Sequence, residues 1–250
     1  QATEFVIVFP EGTAGPAVGG NPEVKGLLCI KGSNSYQFDG TSIKFKTLLS
    51  ANTAVAAAQE FASMSLTADE VKDVILTHLH YDHVGTFHDF PNAQFHVQDD
   101  EMAYATGRHM RHQRFNHGFE VEDVVGMVRL VFKDRVIFHN GSAELAPGIS
   151  LHRIGGHTAG LQCVRVATAR GWVVLASDAS HYYEHMEAGR CFPTTFHLGE
   201  VLEGYDTLRR LGDSHEHIIP GHDPLVMQRY PAPSKDLEGI VVRLDVMPKR

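Results

Sequence analysis

The chain has 250 residues, of which 43% are hydrophobic and 21% are charged, as expected for a globular protein with a sizeable core. The formal net charge of −8 argues against a nucleic-acid partner, which would need a basic face on the protein. No apolar run approaches the roughly 18 residues that a membrane span requires, so we expect no membrane partner.

The start of the chain and its cysteines bear on location. Residues 1–4 lack the basic residues that open a secretory signal. Cys29, Cys163 and Cys191 are widely spaced and odd in number, which argues against a disulfide framework and favours a reducing compartment. We therefore expect a cytoplasmic protein.

The first half of the chain alternates apolar runs with turn-forming residues. A capping box at 67–70 precedes the third of the strands predicted here. The predicted strands are 4–9, 24–30, 74–76 and 93–98, and the predicted helices are 52–64, 99–106 and 121–132.

The second half contains one clear hairpin and one clear helix. Residues 161–167 and 172–176 flank Arg170-Gly171 as two strands of a hairpin. Residues 198–211 have amphipathic helical spacing and are followed by Gly212. Residues 135–138, 149–154 and 217–220 are predicted strands, with a turn at 139–142.

A dense group of potential metal ligands follows the apolar run at 74–76. His78, His80, Asp82 and His83 fall within six residues. In an extended segment alternate side chains share a face, so we expect His78, His80 and Asp82 to point the same way and His83 to join them as the chain turns. Imidazole and carboxylate are ligands that Zn²⁺ prefers. A solvated polar turn is the alternative, but turns favour other residues.

Residues 108–119 are rich in arginine and histidine, and three interpretations of them stay open. They form a solvated helical insertion, a lid that contacts substrate or a second subunit, or a second metal site. That metal site would use His109, His112 and His117, although the arginines between them would repel a cation.

The ligand-rich segment resembles the His-x-His-x-Asp-His signature of the metallo-β-lactamase superfamily. Three further landmarks follow in that family's order, at 155–160 (Gly-Gly-His-Thr-Ala-Gly), 176–180 (Ala-Ser-Asp-Ala-Ser) and 220–223 (Pro-Gly-His-Asp). Within the superfamily the chain is most similar to N-acyl-homoserine-lactone lactonases, the quorum-quenching enzymes. The resemblance implies an α/β fold, a four-layer αβ/βα sandwich, as a single domain over residues 1–250 with a helical insertion around 99–130.

The resemblance also implies a site for two divalent metal ions, with Zn²⁺ as the expected metal. The first ion would be bound by His78, His80 and His157, and the second by Asp82, His83 and His222, with Asp178 bridging both. One feature departs from the family. The early Asp-Thr-Gly that supports the metal histidines is replaced by Ser-Tyr-Gln-Phe-Asp-Gly at 35–40, where Asp39 is the candidate substitute.

The function that the resemblance implies is opening of a small lactone ring, of the N-acyl-homoserine type, by attack of a metal-bridging hydroxide. Asp178 and Asp82 would then be catalytic as well as metal-binding. The lactonases place a substrate-binding tyrosine three residues after the bridging Asp; here that position is His181, so His181 or the following Tyr182 or Tyr183 would contact the carbonyl.

Three other side chains are candidates for the pocket wall. Tyr81 is expected opposite the metals, against the acyl chain or ring. Phe87 and Met186 are weaker candidates, for which core packing is the favoured interpretation.

Two other functions remain open. One is hydrolysis of another cyclic ester, a lactam or a thioester on the same two-metal site; the other is a metal-binding scaffold or sensor without turnover. Metal analysis with a panel of lactones would separate them. The family and the Arg/His-rich segment also leave a homodimer open.

Overall fold

The structure is a computed structural model. It describes residues 71–85, 87–233 and 241–249, the residues 69, 235, 238 and 239, and the backbone of four strands between residues 3 and 45. The predicted helix at 52–64, most of the capping box at 67–70, and Asp39 lie outside the described residues.

The described strands form four sheets. In the order β1-β2-β13, an antiparallel sheet contains β1 (Thr3–Ile7), β2 (Leu27–Lys31) and β13 (Val241–Arg243), and β3 (Tyr36–Phe38) pairs with β4 (Ile43–Phe45). A parallel sheet contains β5 (Asp73–Ile75), β6 (Gln94–Gln98) and β7 (Val136–His139). The largest sheet, in the order β12-β11-β10-β9-β8, contains β8 (Ser142–Ala146), β9 (Ile149–Arg153), β10 (Gln162–Thr168), β11 (Gly171–Ser177) and β12 (Ile218–Pro220).

The helices of the described part are short except for two. They are α1 (Tyr81–Val84), α2 (Asp99–Ala105), α3 (Gln113–Asn116), α4 (Val121–Val131), α5 (Tyr183–Ala188), α6 (Leu198–Leu211) and α7 (Leu225–Arg229). The long helices α4 and α6 confirm the predictions from amphipathic spacing. Among the residues described, no helix combines the length and hydropathy needed to cross a bilayer.

Strand direction brings three loops of the largest sheet together. Strands β9 and β11 run the same way because each is antiparallel to β10, and β12 is parallel to β11. The carboxyl ends of β9, β11 and β12 therefore lie at one edge of the sheet. The segments that contain His157, Asp178 and His222 follow these three ends.

Buried apolar side chains form two clusters in the described part of the chain. One lies between strands β9 to β12 and helix α6, which contributes Val201, Tyr205 and Leu208 at helical spacing. The other lies between strands β5 and β6 and helices α2 and α4. Helix α4 contributes Met127 and Leu130 to it. Cys163 is a fully buried core residue.

Several of the described elements, among them α5, α7 and β8, were not predicted. Helices α5 and α7 have six and five residues, too few for a periodic pattern to be evident. Strand β8 has the sequence Ser-Ala-Glu-Leu-Ala, which has low strand propensity, and it forms by pairing with β9. The predicted turn at 139–142 was too wide, since His139 ends β7 and Ser142 begins β8.

Two buried glutamines join the parallel sheet to the largest sheet. Gln98 Nε2 of β6 donates to Gln162 Oε1 of β10 at 2.8 Å. Gln162 Nε2 in turn donates to the carbonyl oxygens of Leu76 (2.8 Å) and His96 (3.1 Å). Both glutamines are essentially without solvent exposure. The pair therefore satisfies backbone groups that the contact between sheets removes from water.

Replacing Gln162 by Leu should destabilise the protein by about 2–4 kcal/mol. The change leaves the two carbonyl oxygens and the Gln98 amide buried without these bonds. Urea unfolding measures the effect, and Gln228→Leu, on an exposed position of α7, serves as the matched control. Equal stability of the two variants would contradict the role of the pair.

Candidate metal centre

The ligand-rich loop after β5 is part extended and part helical. His80 lies in extended backbone and α1 begins directly after it; the carbonyl oxygen of His80 accepts from the N–H of His83 at 2.9 Å. The expectation that Asp82 shares an extended face with His78 and His80 is therefore wrong. Asp82 and His83 are placed by one turn of helix instead.

Three buried histidines bring one nitrogen each to a common point. His78 Nε2 and His157 Nε2 both lie 3.0 Å from His80 Nδ1. A neutral imidazole has one N–H and one lone pair. A hydrogen bond at this point therefore pairs two of the three nitrogens and leaves the third without a partner in the cluster. A tetrahedral Zn²⁺ with Zn–N bonds of ~2.05 Å would place its nitrogen ligands ~3.3 Å apart. The three residues thus fit a divalent cation.

The far sides of two of these rings are held by protein oxygens. His157 Nδ1 donates to the carbonyl oxygen of Thr194 at 2.6 Å, which leaves the lone pair of Nε2 facing the other histidines. The Thr77 hydroxyl lies 3.3 Å from His78 Nδ1 and 3.3 Å from His83 Nδ1, and it accepts from Ser177 Oγ at 2.9 Å. These contacts orient the rings without occupying the converging nitrogens.

A second group of ligand atoms comes from Asp82, His83 and His222, whose ligand atoms lie within 4.8 Å of one another. Asp178 lies between the two groups. Its Oδ1 is 3.0 Å from His222 Nε2 and 3.4 Å from His83 Nε2. Its Oδ2 is 3.3 Å from His157 Nε2. One carboxylate therefore faces both sets of histidines.

The backbone around Asp178 is tightly constrained. Ser177, the last residue of β11, has a positive φ of 48°, and its carbonyl oxygen accepts from Gly221 N at 3.1 Å. A Cβ at Gly221 would lie 2.8 Å from that oxygen and 2.9 Å from Asp178 Oδ1. Glycine is therefore required where the loop of His222 crosses the Asp178 carboxylate.

The electrostatics of the cluster favour the protonation states that a metal requires. Burial, followed by repulsion from neighbouring histidines, holds the pKa of His78 and of His80 well below the usual value, and burial lowers the pKa of His157 to about 4. Burial alone would raise the pKa of Asp178, but His83, His181 and other histidines around it lower it well below its ordinary value. Neutral imidazoles and an ionised carboxylate are the metal-binding forms.

The expected substrate contacts divide between the site and the core. His181 Nε2 lies 2.9 Å from Asp178 Oδ2, and the His181 ring stacks on Phe192 with centroids 3.8 Å apart. Tyr182 and Tyr81 are each nearly half exposed. Tyr183 instead is buried in the core with the Arg229 guanidinium 4.0 Å from its ring centroid, so the expected substrate role of Tyr183 is not supported.

The weaker candidates for the pocket wall pack in the core. Met186 belongs to the cluster of the largest sheet, and Phe87 packs against the other cluster. A Cβ at Gly126 would lie 2.3 Å from the Phe87 ring, which shows how closely α4 approaches it. These positions agree with the favoured interpretation of both residues as core.

The Arg/His-rich segment contacts the metal-ligand loop. Gly118 accepts from Tyr81 N at 2.9 Å, and the Phe119 ring meets the His80 ring with centroids 4.6 Å apart. His109 packs in an aromatic cluster with Phe196, centroids 5.1 Å apart. The groups able to hold a metal in the described part of the chain do not include the histidines of this segment, so the interpretation as a second metal site is not supported.

Two buried carboxylates that support the site were missed. Asp223 accepts from the N–H groups of Tyr183 and Leu225, both at 2.9 Å, and so ties the loop of His222 to the segment after Asp178. Glu101, in the first turn of α2, accepts hydrogen bonds from the loops of His80 and His157. Acidic residues are common in the first turn of a helix, because they interact favourably with the helix dipole. The sequence around Glu101 therefore gave no sign that its side chain is buried.

Comparison with known proteins identifies relatives of this arrangement. The sequence model of the metallo-beta-lactamase superfamily matches residues 47–227 of this chain. A probable metallo-hydrolase of Mycobacterium tuberculosis is 25% identical over 188 residues, 68% of this chain and 57% of that protein. The N-acyl homoserine lactonase AiiB of Agrobacterium fabrum is 30% identical over 132 residues, 49% of this chain and 45% of that protein. The chain thus spans about half the length of these curated relatives.

One solved structure is an N-acyl homoserine lactone hydrolase with the product N-hexanoyl-L-homoserine bound at its catalytic metal centre. It superposes with a TM-score of 0.56 at 24% identity, over 68% of this chain and 62% of that chain. At this identity the likeness shows the fold alone. The α/β fold predicted from the motifs, the four-layer αβ/βα sandwich, is thereby confirmed.

The metal-free protein should lose stability as the pH falls from about 6.5 to about 4. In this window an unfolded His157 with pKa 6.5 binds a proton that the folded ring, with a pKa of about 4, does not bind. The unfolded state is therefore favoured as the pH falls, by up to ~3 kcal/mol for a pKa difference of this size. Urea unfolding of metal-free protein at pH 7, 6, 5 and 4 measures the change.

His157→Asn should reduce this dependence by the share that His157 contributes and leave the share of His78 and His80, whose pKa values burial also lowers, whereas His112→Asn, at an exposed position, should keep all of it. Asp178 contributes in a lower window, because its lowered pKa adds stability that is lost only as the pH falls below about 4. Constant stability of the metal-free protein between pH 7 and pH 4.5 would contradict the account.

Proposed function

Because the chain belongs to the metallo-β-lactamase superfamily, we propose that it is a hydrolase with two divalent metal ions, most simply Zn²⁺, that opens the ring of a small lactone. The observation that carries this proposal is the position of Asp178. Its carboxylate lies between two groups of ligand atoms: Oδ2 faces His157, Oδ1 faces His83, and His222 Nε2 lies within 3.1 Å of both oxygens. A carboxylate in this position is able to bridge two metal ions.

The proposed ligands divide as their positions suggest. His78, His80 and His157 would hold the first ion, Asp82, His83 and His222 the second, and Asp178 both. Two bound ions would lower the pKa of a water molecule and polarise the ester carbonyl. Nitrogen and oxygen donors without cysteine suit Zn²⁺, and other borderline divalent metals as well.

The chain's own groups would complete the reaction. His181 lies beside the ligand cluster, with Nε2 2.9 Å from Asp178 Oδ2; were this carboxylate held by the metal ions, the Nε2–H would be released to donate to a carbonyl oxygen as negative charge develops on it. The Asp178 carboxylate can carry a proton to the ring oxygen that leaves. Phe192, stacked on His181, fixes the plane of that imidazole.

The lactone as substrate is supported by the relatives and by the exposed rings near the ligands. The partial relative from Agrobacterium fabrum is an N-acyl homoserine lactonase, and the superposed hydrolase holds an acyl-homoserine product at its metal centre. Tyr81 and Tyr182 each follow a residue of the cluster directly and are nearly half exposed, so they are available to an acyl chain. Another cyclic ester, a lactam or a thioester is the competing substrate class.

The metal-loaded protein should hydrolyse N-acyl-homoserine lactones, which release acid that a pH indicator records. Asp82→Ala should lower bound metal from two ions to about one and reduce the rate by at least ~100-fold, because the second group loses its carboxylate. Rates with matched lactams and thioesters serve as the substrate control. Full hydrolysis by Asp82→Ala with unchanged metal content would refute Asp82 as a metal ligand. Faster hydrolysis of the thioester than of the lactone would instead identify thioesters as the substrate class.

His181→Ala should reduce kcat/KM for the lactone by roughly 100-fold while leaving metal content at two ions, since the variant loses a donor to the developing oxyanion. Tyr182→Phe, which keeps the ring and removes the hydroxyl, is the comparison. Steady-state kinetics with metal analysis distinguish them. If Tyr182→Phe lost activity and His181→Ala retained it, the carbonyl contact would belong to the tyrosine.

A further inference from the structure

Glu101 is a fully buried carboxylate that lies outside both groups of proposed ligands. Its Oε1 accepts from the N–H of Leu79 at 2.9 Å. Its Oε2 accepts from the Thr158 hydroxyl at 2.6 Å and from the N–H of Gly160 at 3.0 Å. Three neutral donors thus surround one buried carboxylate. Burying this carboxylate would cost free energy without these hydrogen bonds.

The three donors belong to the two loops that supply the first group of histidines. Leu79 stands between His78 and His80 in the sequence, and Thr158 directly follows His157. The contact between these loops at the cluster is the 3.0 Å approach of His157 Nε2 to His80 Nδ1. The Glu101 carboxylate therefore joins the loops beside the point where their ligands meet.

The second loop also lies directly on the backbone of α2. A Cβ at Gly160 would lie 2.1 Å from the N atom of Glu101 and 2.5 Å from its Cα. This contact leaves no space for the loop to move towards the helix. The first turn of α2 is consequently a fixed surface to which Glu101 attaches both loops.

We propose that Glu101 is a positioning residue of the metal centre, whose carboxylate holds His78, His80 and His157 in their converging arrangement. This inference rests on the metal centre of the proposed function but not on its substrate. The nitrogens of these three histidines are separated by distances close to those of a metal site. Loss of the carboxylate should free the two loops and weaken metal binding.

The test is Glu101→Gln, which keeps the size of the side chain but turns an amide NH₂ towards one set of donors. Zn²⁺ affinity is measured by competition with a chromophoric chelator, and Co²⁺ absorption reports the coordination geometry. We expect Zn²⁺ affinity to fall about 10- to 100-fold, the Co²⁺ bands to change, and the rise in Tm on adding Zn²⁺ to shrink. If Glu101→Gln fails to fold, Thr158→Val removes a single donor and should give a smaller loss in the same direction.

Asp213→Asn is the matched control, because Asp213 Oδ2 accepts from the backbone N–H of Trp172 at 2.9 Å, outside the ligand loops. This variant should keep the Zn²⁺ affinity whatever its Tm. Wild-type affinity in Glu101→Gln, with equal loss of Tm in the metal-free and Zn²⁺-loaded forms, would overturn the inference and leave the proposed function intact. A wild-type protein that bound no Zn²⁺ would overturn both.

Discussion

The position of one carboxylate constrains most of the site. Asp178 is buried, and its charge is stabilised by imidazoles on both sides. To bring it there, the chain holds Ser177 at positive φ and places Gly221 where a side chain would collide with the carboxylate. The strain and the small residue are both explained if the two carboxylate oxygens must face two different cations.

The sheets supply the common edge that this arrangement needs. Because β9 and β11 run the same way and β12 is parallel to β11, their following loops meet. The loop after β5 joins them through Thr77, whose carbonyl oxygen accepts from Gln162 N at 2.9 Å and whose hydroxyl accepts from Ser177. Glutamines buried between the sheets keep these edges in register. The site is therefore a property of the packing between sheets, and it is supported by hydrogen bonds behind the rings of His78, His83 and His157.

The features that were predicted correctly depend on residues close together in the sequence. The ordered ligand motifs named side chains that the fold brings together, and the amphipathic spacing of α6 gave its bounds. The predictions failed where contacts with residues distant in the sequence determine the position of a side chain. Asp82 is placed by a helical turn that starts at Tyr81, and the place of Tyr183 in the core depends on Arg229 and Asp223. Glu101 is identified as important only once Leu79 and Thr158 are seen on either side of it.

Anomalous diffraction at the zinc edge from crystals of Zn²⁺-loaded protein tests the central claim most directly. The account predicts two peaks, one bound by His78, His80 and His157 and one by Asp82, His83 and His222, with a carboxylate oxygen of Asp178 at ~2.0–2.2 Å from each. A single peak, or peaks that Asp178 does not contact, would contradict it.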